Sequence, residues 1–337
     1  MKEIEKEREL EQELQTMGMD QDADFDRQIE QMINKKIRKI ALKSAIAVVL
    51  AAVVIFLGVS PLLNLCNMNP QKLNEGNPSR LLSVMRAYYE TMYPYREVYG
   101  IEVEKEGFGC YTLNMNLLDH TEEDLVIGPT NVTMEMKWGK LSVANDSGGR
   151  AQILLGAFYT EDQEEKLTRK EFASLLSEIE KLPQSSYLYL SLSDQKTRKV
   201  EDLVKQNSDD FQIEWLQVYE PQCDFQAGLS LNLSAATKES DKRGEMSAGE
   251  LRQVYLENLA LLKENMEIWE DLDMPSNDSV WRSDKTLLEE LAEAGKSSDT
   301  FETKHYCVSG SRDAVLSYLR SGSFERILVD NVRFSRL

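Results

Sequence analysis

From Ser44 to Gln71 the chain carries no charged residue, an uninterrupted run of 28 positions. Between Ala45 and Val59 it is almost wholly aliphatic, and Ser60-Pro61-Leu62-Leu63 follows. Wound as a helix, Ser44 to Leu65 would span roughly the 30 Å of hydrocarbon that a bilayer presents. A helix buried in a globular domain keeps a polar face, and this segment has none. The run therefore predicts a single transmembrane helix over residues 44–65. A removable leader fits less well, because 43 residues precede the run and Pro61 follows the best small-x-small site, Gly58-Val59-Ser60. A lipoprotein site at Cys66 would place bulky Leu65 where a small residue is wanted.

Flanking charge sets the direction. Lys35, Lys36, Arg38, Lys39 and Lys43 crowd the N-terminal side, against Lys72 and Arg80 on the other. These five residues are the membrane-orienting set. They predict a single-pass protein of the cell membrane with a cytoplasmic N-terminus and residues 66–337 extracytoplasmic. The lack of further apolar runs argues against a channel or transporter.

The whole chain has 39 basic and 58 acidic residues, a net charge of -19. Such a surface repels phosphate backbones, so no direct nucleic-acid partner is expected. Two histidines and four cysteines exclude a disulfide-built scaffold and a multi-histidine metal centre, and no cofactor or metal is expected.

Residues 1–43 read as a cytoplasmic helical segment. Leu10, Leu14 and Met17 recur at helical spacing within Lys2–Met17, and Gly18 ends that pattern. A second helix is expected to start near Asp22 or Asp24. Along it Phe25, Ile29, Met32 and Ile33, continued by Ile37 and Ile40, form one apolar stripe. Forty-odd residues cannot bury such a stripe by themselves. Self-association or a lipid surface would cover it; a cytoplasmic partner docked on Phe25, Ile29, Met32 and Ile33 is the favoured reading, and the acidic flank suits a basic target.

The rest divides into residues 66–160 and 161–337. The first part reads as a spacer, a helix over Ser79–Met92 stopped by Pro94, strands at Glu97–Glu104, Gly109–Leu118 and Asn131–Ala144, and a further strand at Ile153–Tyr159. The second alternates helix and strand: Leu167–Lys181 helical, Tyr187–Ser193 extended, Thr197–Gln206 helical, Phe211–Tyr219 extended. A capping box at Ser247-Ala-Gly-Glu250 opens a long helix. Lys304–Ser309, Ser311–Arg320 and Ile327–Phe334 repeat the strand–helix–strand rhythm. The expected fold class is α+β: a cytoplasmic helical segment, a transmembrane helix, an antiparallel patch, then a domain with two strand–helix–strand units, paired in parallel or as a split βαβ sheet.

Catalytic signatures are sparse. Gly244-Glu-Met-Ser-Ala-Gly249 has the glycine spacing of a phosphate loop, but Glu250-Leu251 stands where Lys-Ser/Thr is needed. Asp271, Asp273 and the Glu161–Glu165 cluster read as solvated surface. His305, Cys307 and Arg312 are the residue types of a Cys-dependent envelope transpeptidase, with His120 a second base, yet His305 and Cys307 sit two apart on one strand and read as packing. No catalytic residue is assigned, and the chain is expected not to be an enzyme.

With Phe25-Asp-Arg-Gln-Ile-Glu-Gln-Met32, the basic stop, the apolar span, Met136-Lys-Trp-Gly-Lys-Leu-Ser-Val143, Tyr187–Tyr219 and Lys304–Phe334 in place, the layout resembles the sigma-factor regulator family of Gram-positive bacteria. That resemblance implies N-terminal and C-terminal regulator domains in a membrane-bound anti-sigma factor. It would sequester an extracytoplasmic-function sigma factor through residues 1–43 and sense the envelope through its outer part. The zinc-containing anti-sigma class needs a His and a Cys pair that this N-terminal segment lacks, and the segment is short, so a second membrane regulator is a possible further partner beside the lipid bilayer. The alternative is an extracytoplasmic binding module with no sigma-factor role.

Overall fold

The computed structural model describes residues 27, 30–59, 63, 68–121, 130–146, 167–223, 227–233, 240–272, 284–297 and 301–334. Contacts divide the chain into two compact units, Met1–Cys66 and Asn67–Leu337. The expected helix over Lys2–Met17, the stripe residues Phe25 and Ile29, the strand at Ile153–Tyr159, Cys66, Asp273 and the Glu161–Glu165 cluster lie outside the described residues.

In the first unit residues 30–54 form helix α1, followed by a π-helical turn at Ile55–Val59. The expected transmembrane helix fails here: no helix among the described residues is long and apolar enough to cross a membrane. The reason is where the apolar run falls. Lys35, Lys36, Arg38, Lys39 and Lys43 lie inside the same helix, and the uncharged part of α1, residues 44–54, rises only about 16 Å. That is about half of a bilayer's hydrocarbon.

In the second unit a short helical turn at Pro70–Leu73 precedes helix α2 (Arg80–Met92), whose Ser79 N-cap side chain accepts from the Leu82 N–H at 3.1 Å. It buries Leu81, Val84, Met85, Tyr88 and Met92. Strands β1 (Arg96–Gly107), β2 (Cys110–Asp119), β3 (Thr130–Lys137) and β4 (Lys140–Asp146) form an antiparallel meander. Alternation puts Tyr111, Leu113, Met115 and Leu117 of β2 on the core face with Val132, Met134 and Met136 of β3. The single strand expected over Asn131–Ala144 is two strands. Trp138 and Gly139 both take positive φ, +54° and +86°, and close a two-residue hairpin.

After α3 (Arg169–Glu180) comes a five-stranded sheet of β5 (Tyr187–Lys199), β6 (Phe211–Gln217), β7 (Gly228–Ser230), β8 (Glu302–Ser311) and β9 (Phe324–Arg333). Its order is β7-β6-β8-β5-β9, with every neighbouring pair antiparallel. Helix α4 (Val200–Val204) links β5 to β6 with β8 between them; α7 (Arg312–Ser321) links β8 to β9 with β5 between them. These are two interleaved split βαβ units, a ferredoxin-like arrangement, and the parallel-pairing alternative is not found among the described residues. Helices α5 (Ala248–Glu264) and α6 (Asp284–Ser297) are inserted between β7 and β8. The helix expected from Thr197 starts only at Val200, because β5 stays extended to Lys199. Capping boxes fix the starts of α3 (Thr168, Glu171) and α5 (Ser247, Glu250).

The two faces of this sheet differ. One presents Leu188, Leu190, Leu192, Ile213, Tyr306 and Val308 to the main core. The other carries Tyr187, Tyr189, Trp215 and Cys307, clustered with Tyr95 from the segment entering β1.

Candidate functional site

On α1, Met32, Ile33, Ile37 and Ile40 are 65%, 51%, 57% and 62% exposed. Ile33, Ile37 and Ile40 follow the i, i+4, i+7 spacing of one helical face. The basic residues Lys35, Lys36, Arg38, Lys39 and Lys43 are exposed along the same helix. The structure thus holds the four described residues of the expected stripe on a helix, uncovered by its own unit.

In the second unit the concentration of polar chemistry lies on the Tyr95 face of the five-stranded sheet, and two β-bulges create it. In β6, Ile213 pairs with Val308 and Trp215 with Cys307, so Glu214 is an extra residue. In β9, Val329 pairs with Leu190 and Asn331 with Tyr189, so Asp330 is extra as well. A bulge re-aims the side chain it carries, and here both carboxylates are turned onto one buried face. Asp330 Oδ2 accepts from Ser191 Oγ at 2.7 Å and lies 3.0 Å from the Tyr95 hydroxyl. Glu214 accepts from Ser309 Oγ, which lies 3.0 Å from the Tyr187 hydroxyl. His120, at the end of β2, lies with Nδ1 3.8 Å from Glu214 and Nε2 3.6 Å from Glu97. Backbone ties align the layers: His120 N–H donates to Tyr95 O at 2.9 Å, and Asn331 and Arg333 donate to Thr121 O at 2.6 and 2.9 Å.

Burial dominates the electrostatics of this face. It lifts the Asp330 carboxyl to about 7, against the opposing hydrogen bonds from Ser191 and Tyr95. Burial likewise pushes the Tyr95 phenol and the Cys307 thiol well above their usual ranges, and nearby Asp330 adds to both. Asp330 Oδ1 is buried without a hydrogen-bond partner among the described residues.

The trio singled out in sequence does not assemble as a catalytic unit. Cys307 is fully buried and lies 3.4 Å from Ser191 Oγ. His305 Nδ1 lies 2.7 Å from Ser193 Oγ, itself buried, and burial holds the imidazole down at about 4, with Lys304 and Arg326 assisting. Arg312 spends its guanidinium on Leu182 O at 2.6 Å and on Asp313. Cys110 and Cys307 take part in no disulfide among the described residues. Asp330, Tyr95, Ser191 and Glu214 escaped sequence reasoning, since alternation assigns faces only where the register is unbroken. A polar residue inside Ile327-Leu-Val-Asp-Asn-Val332 was the available signal.

The described fold is thus an α+β protein: an exposed N-terminal helix and, as a separate unit, an antiparallel meander with an interleaved split βαβ sheet. No family profile, no curated protein and no solved structure matches the chain.

Proposed function

We propose that this chain is a sigma-factor regulator that binds its target through α1, with residues 67–337 as the regulatory α+β unit. The observation carrying this reading is the run of Met32, Ile33, Ile37 and Ile40, each more than half exposed along one helix. Amphipathic helices with such a run bind by laying it into a hydrophobic groove of a partner. The resemblance of the sequence layout to the sigma-factor regulator family selects the partner class, an extracytoplasmic-function sigma factor. Sequestration of this kind needs no bilayer crossing and no catalytic step.

The test is capture of purified sigma factors by the full chain, wild type and Ile33→Asp. Placing a charge in the groove contact is expected to weaken binding at least about tenfold, or roughly 1.4 kcal/mol. Failure to capture any sigma factor, or equal capture by the variant, overturns the reading.

A further inference from the structure

We propose that His120 is held as a doubly protonated imidazolium between Glu97 and Glu214, and that this charge is a pH-operated clasp between the meander and the five-stranded sheet. The clasp is closed while the ring keeps both protons and opens when rising pH removes one. The inference concerns the second unit alone and does not depend on the sigma-factor reading.

The geometry argues for it through the two sides of one ring. Nε2 lies 3.6 Å from Glu97 Oε2 on β1, and Nδ1 lies 3.8 Å from Glu214 Oε2 on β6. Each nitrogen thus faces a carboxylate oxygen. A neutral imidazole carries one N–H, so one nitrogen would turn a bare lone pair towards a carboxylate. Only the imidazolium offers a donor on both sides. His120, Glu97 and Glu214 are all buried, so water screens these contacts little.

The ring is fixed there by its own backbone. The His120 N–H donates to Tyr95 O at 2.9 Å, and the His120 carbonyl accepts from Arg333 Nη2 at 2.9 Å. Glu214 reaches the ring only because β6 is bulged at that residue. Its carboxylate also accepts from Asn232 Nδ2 at 2.9 Å and from Ser309 Oγ, both neutral donors.

The surrounding charges favour the added proton. The segment entering β1 brings Tyr95, Arg96 and Glu97, and α2 brings Glu90, whose charge and that of Glu97 repel. The end of β2 brings Asp119; β5, the Tyr187 phenol; β8, Cys307; β9, Asp330 and Arg333. Arg243 is spent on Glu90, and Arg333 on His120 O and Thr121 O. The Arg96 guanidinium lies 6.0 Å from the Tyr93 ring centre. Carboxylates outnumber guanidinium groups in this set, and the imidazolium reduces the excess.

The same charges set the direction of the switch. Removing the proton leaves two buried carboxylates without the cation between them, and one of them faces a lone pair. A ring that holds its proton more tightly in the folded chain contributes stability that is complete in acid and is lost as that proton leaves on the alkaline side.

The test uses the full chain with its imidazole nitrogens labelled with nitrogen-15. The chain has two histidines, and His305, with its midpoint near 4, is neutral well before pH reaches 8. An unperturbed imidazole at about pH 8 is only about 3% protonated. One ring with both nitrogens protonated at that pH is the expected result, and two neutral rings overturn the proposal. Amide hydrogen–deuterium exchange, corrected for intrinsic rates, is then followed from about pH 8 to about pH 10. Peptides covering residues 95–98, 117–121 and 211–217 are expected to lose roughly tenfold in protection in step with the imidazolium signal. Asp330, with its midpoint near 7, is largely ionised before this range begins. Loss of the imidazolium with flat protection, or an imidazolium unchanged to the end of the titration, overturns the clasp. His120→Gln should show the lower protection already at about pH 8, and protection equal to wild type would overturn the clasp as well. Should that variant not fold, the wild-type titration decides alone.

Discussion

The indole ring of Trp215 packs against Gly228 across the β6–β7 pair, so closely that a Cβ built on Gly228 would fall 1.8 Å from Trp215 Cζ2. Trp215 is fully buried and its Nε1–H donates to Glu90 O on α2 at 2.9 Å, so the ring cannot swing aside without losing that bond. Gly228→Ala should therefore destabilise the second unit by about 1–3 kcal/mol through overpacking. Urea unfolding followed by tryptophan fluorescence measures this, and an unchanged midpoint would show that the ring has room to move.

The β1–β2 hairpin turns through Phe108 and Gly109, at φ +52° and +76°. Two positive φ values in a two-residue loop suit Asn-Gly, and a phenyl ring at the first position is held against its preference. The bonds that tie this turn to the next hairpin, from Trp138 Nε1–H to Phe108 O and from Trp138 N–H to Gly109 O, use backbone acceptors and survive substitution. Phe108→Asn should raise stability by about 0.5–1 kcal/mol. A drop in melting temperature would mean that packing of the half-exposed ring outweighs the backbone preference.

His305 and Asp330 should give stability opposite slopes with pH. The folded midpoint of His305, about 4, lies below the ordinary value of 6.5, so between these the unfolded chain takes up a proton that the native one refuses. The His305 contribution is then fully present above about pH 6.5 and lost as pH falls towards 4. Asp330 is raised from 3.8 to about 7, so its unfolded form sheds the proton first and stability falls as pH climbs through that window. The wild type should show a muted profile, with the two effects offsetting between about pH 4 and 6.5. His305→Gln should expose a clear decline in stability with rising pH; a profile identical to wild type would refute the assignment.

What the sequence made legible followed from unbroken periodicity. The capping box at Ser247 and Glu250, the alternation of Tyr111, Leu113, Met115 and Leu117, and the helix ended before Pro94 are local patterns, and each produces its element directly. The turn at Trp138-Gly139 was hidden because apolar alternation continues on both sides of it. The absence of charge over residues 44–65 suggests a span, but the helix that forms carries five basic residues before Ser44 and gives up regular α-helical winding at Val54. Glu214 and Asp330 were illegible for a different reason. Each becomes inward-facing through a bulge set by pairing with a strand distant in sequence, β8 for the one and β5 for the other.

Arg243 and Glu90 form a largely buried ion pair, their side chains 14% and 11% exposed, and Arg243 also donates to Ser230 O at 3.0 Å. Burial raises the Glu90 carboxyl, and Arg243 opposes that rise. Arg243→Met would leave a buried acid on α2 with its main counter-charge gone, at a cost of about 3–5 kcal/mol. The penalty should grow with pH, since the orphaned carboxyl must either stay protonated or be buried charged. The double variant Glu90→Met, Arg243→Met removes the stranded charge and should recover most of the loss, because apolar replacement of a buried pair is often close to neutral. Urea midpoints for the two variants at about pH 5.5 and pH 8 separate the contributions. A double variant no more stable than Arg243→Met would show that Arg243 matters here through Ser230 and packing, with little contribution from its charge.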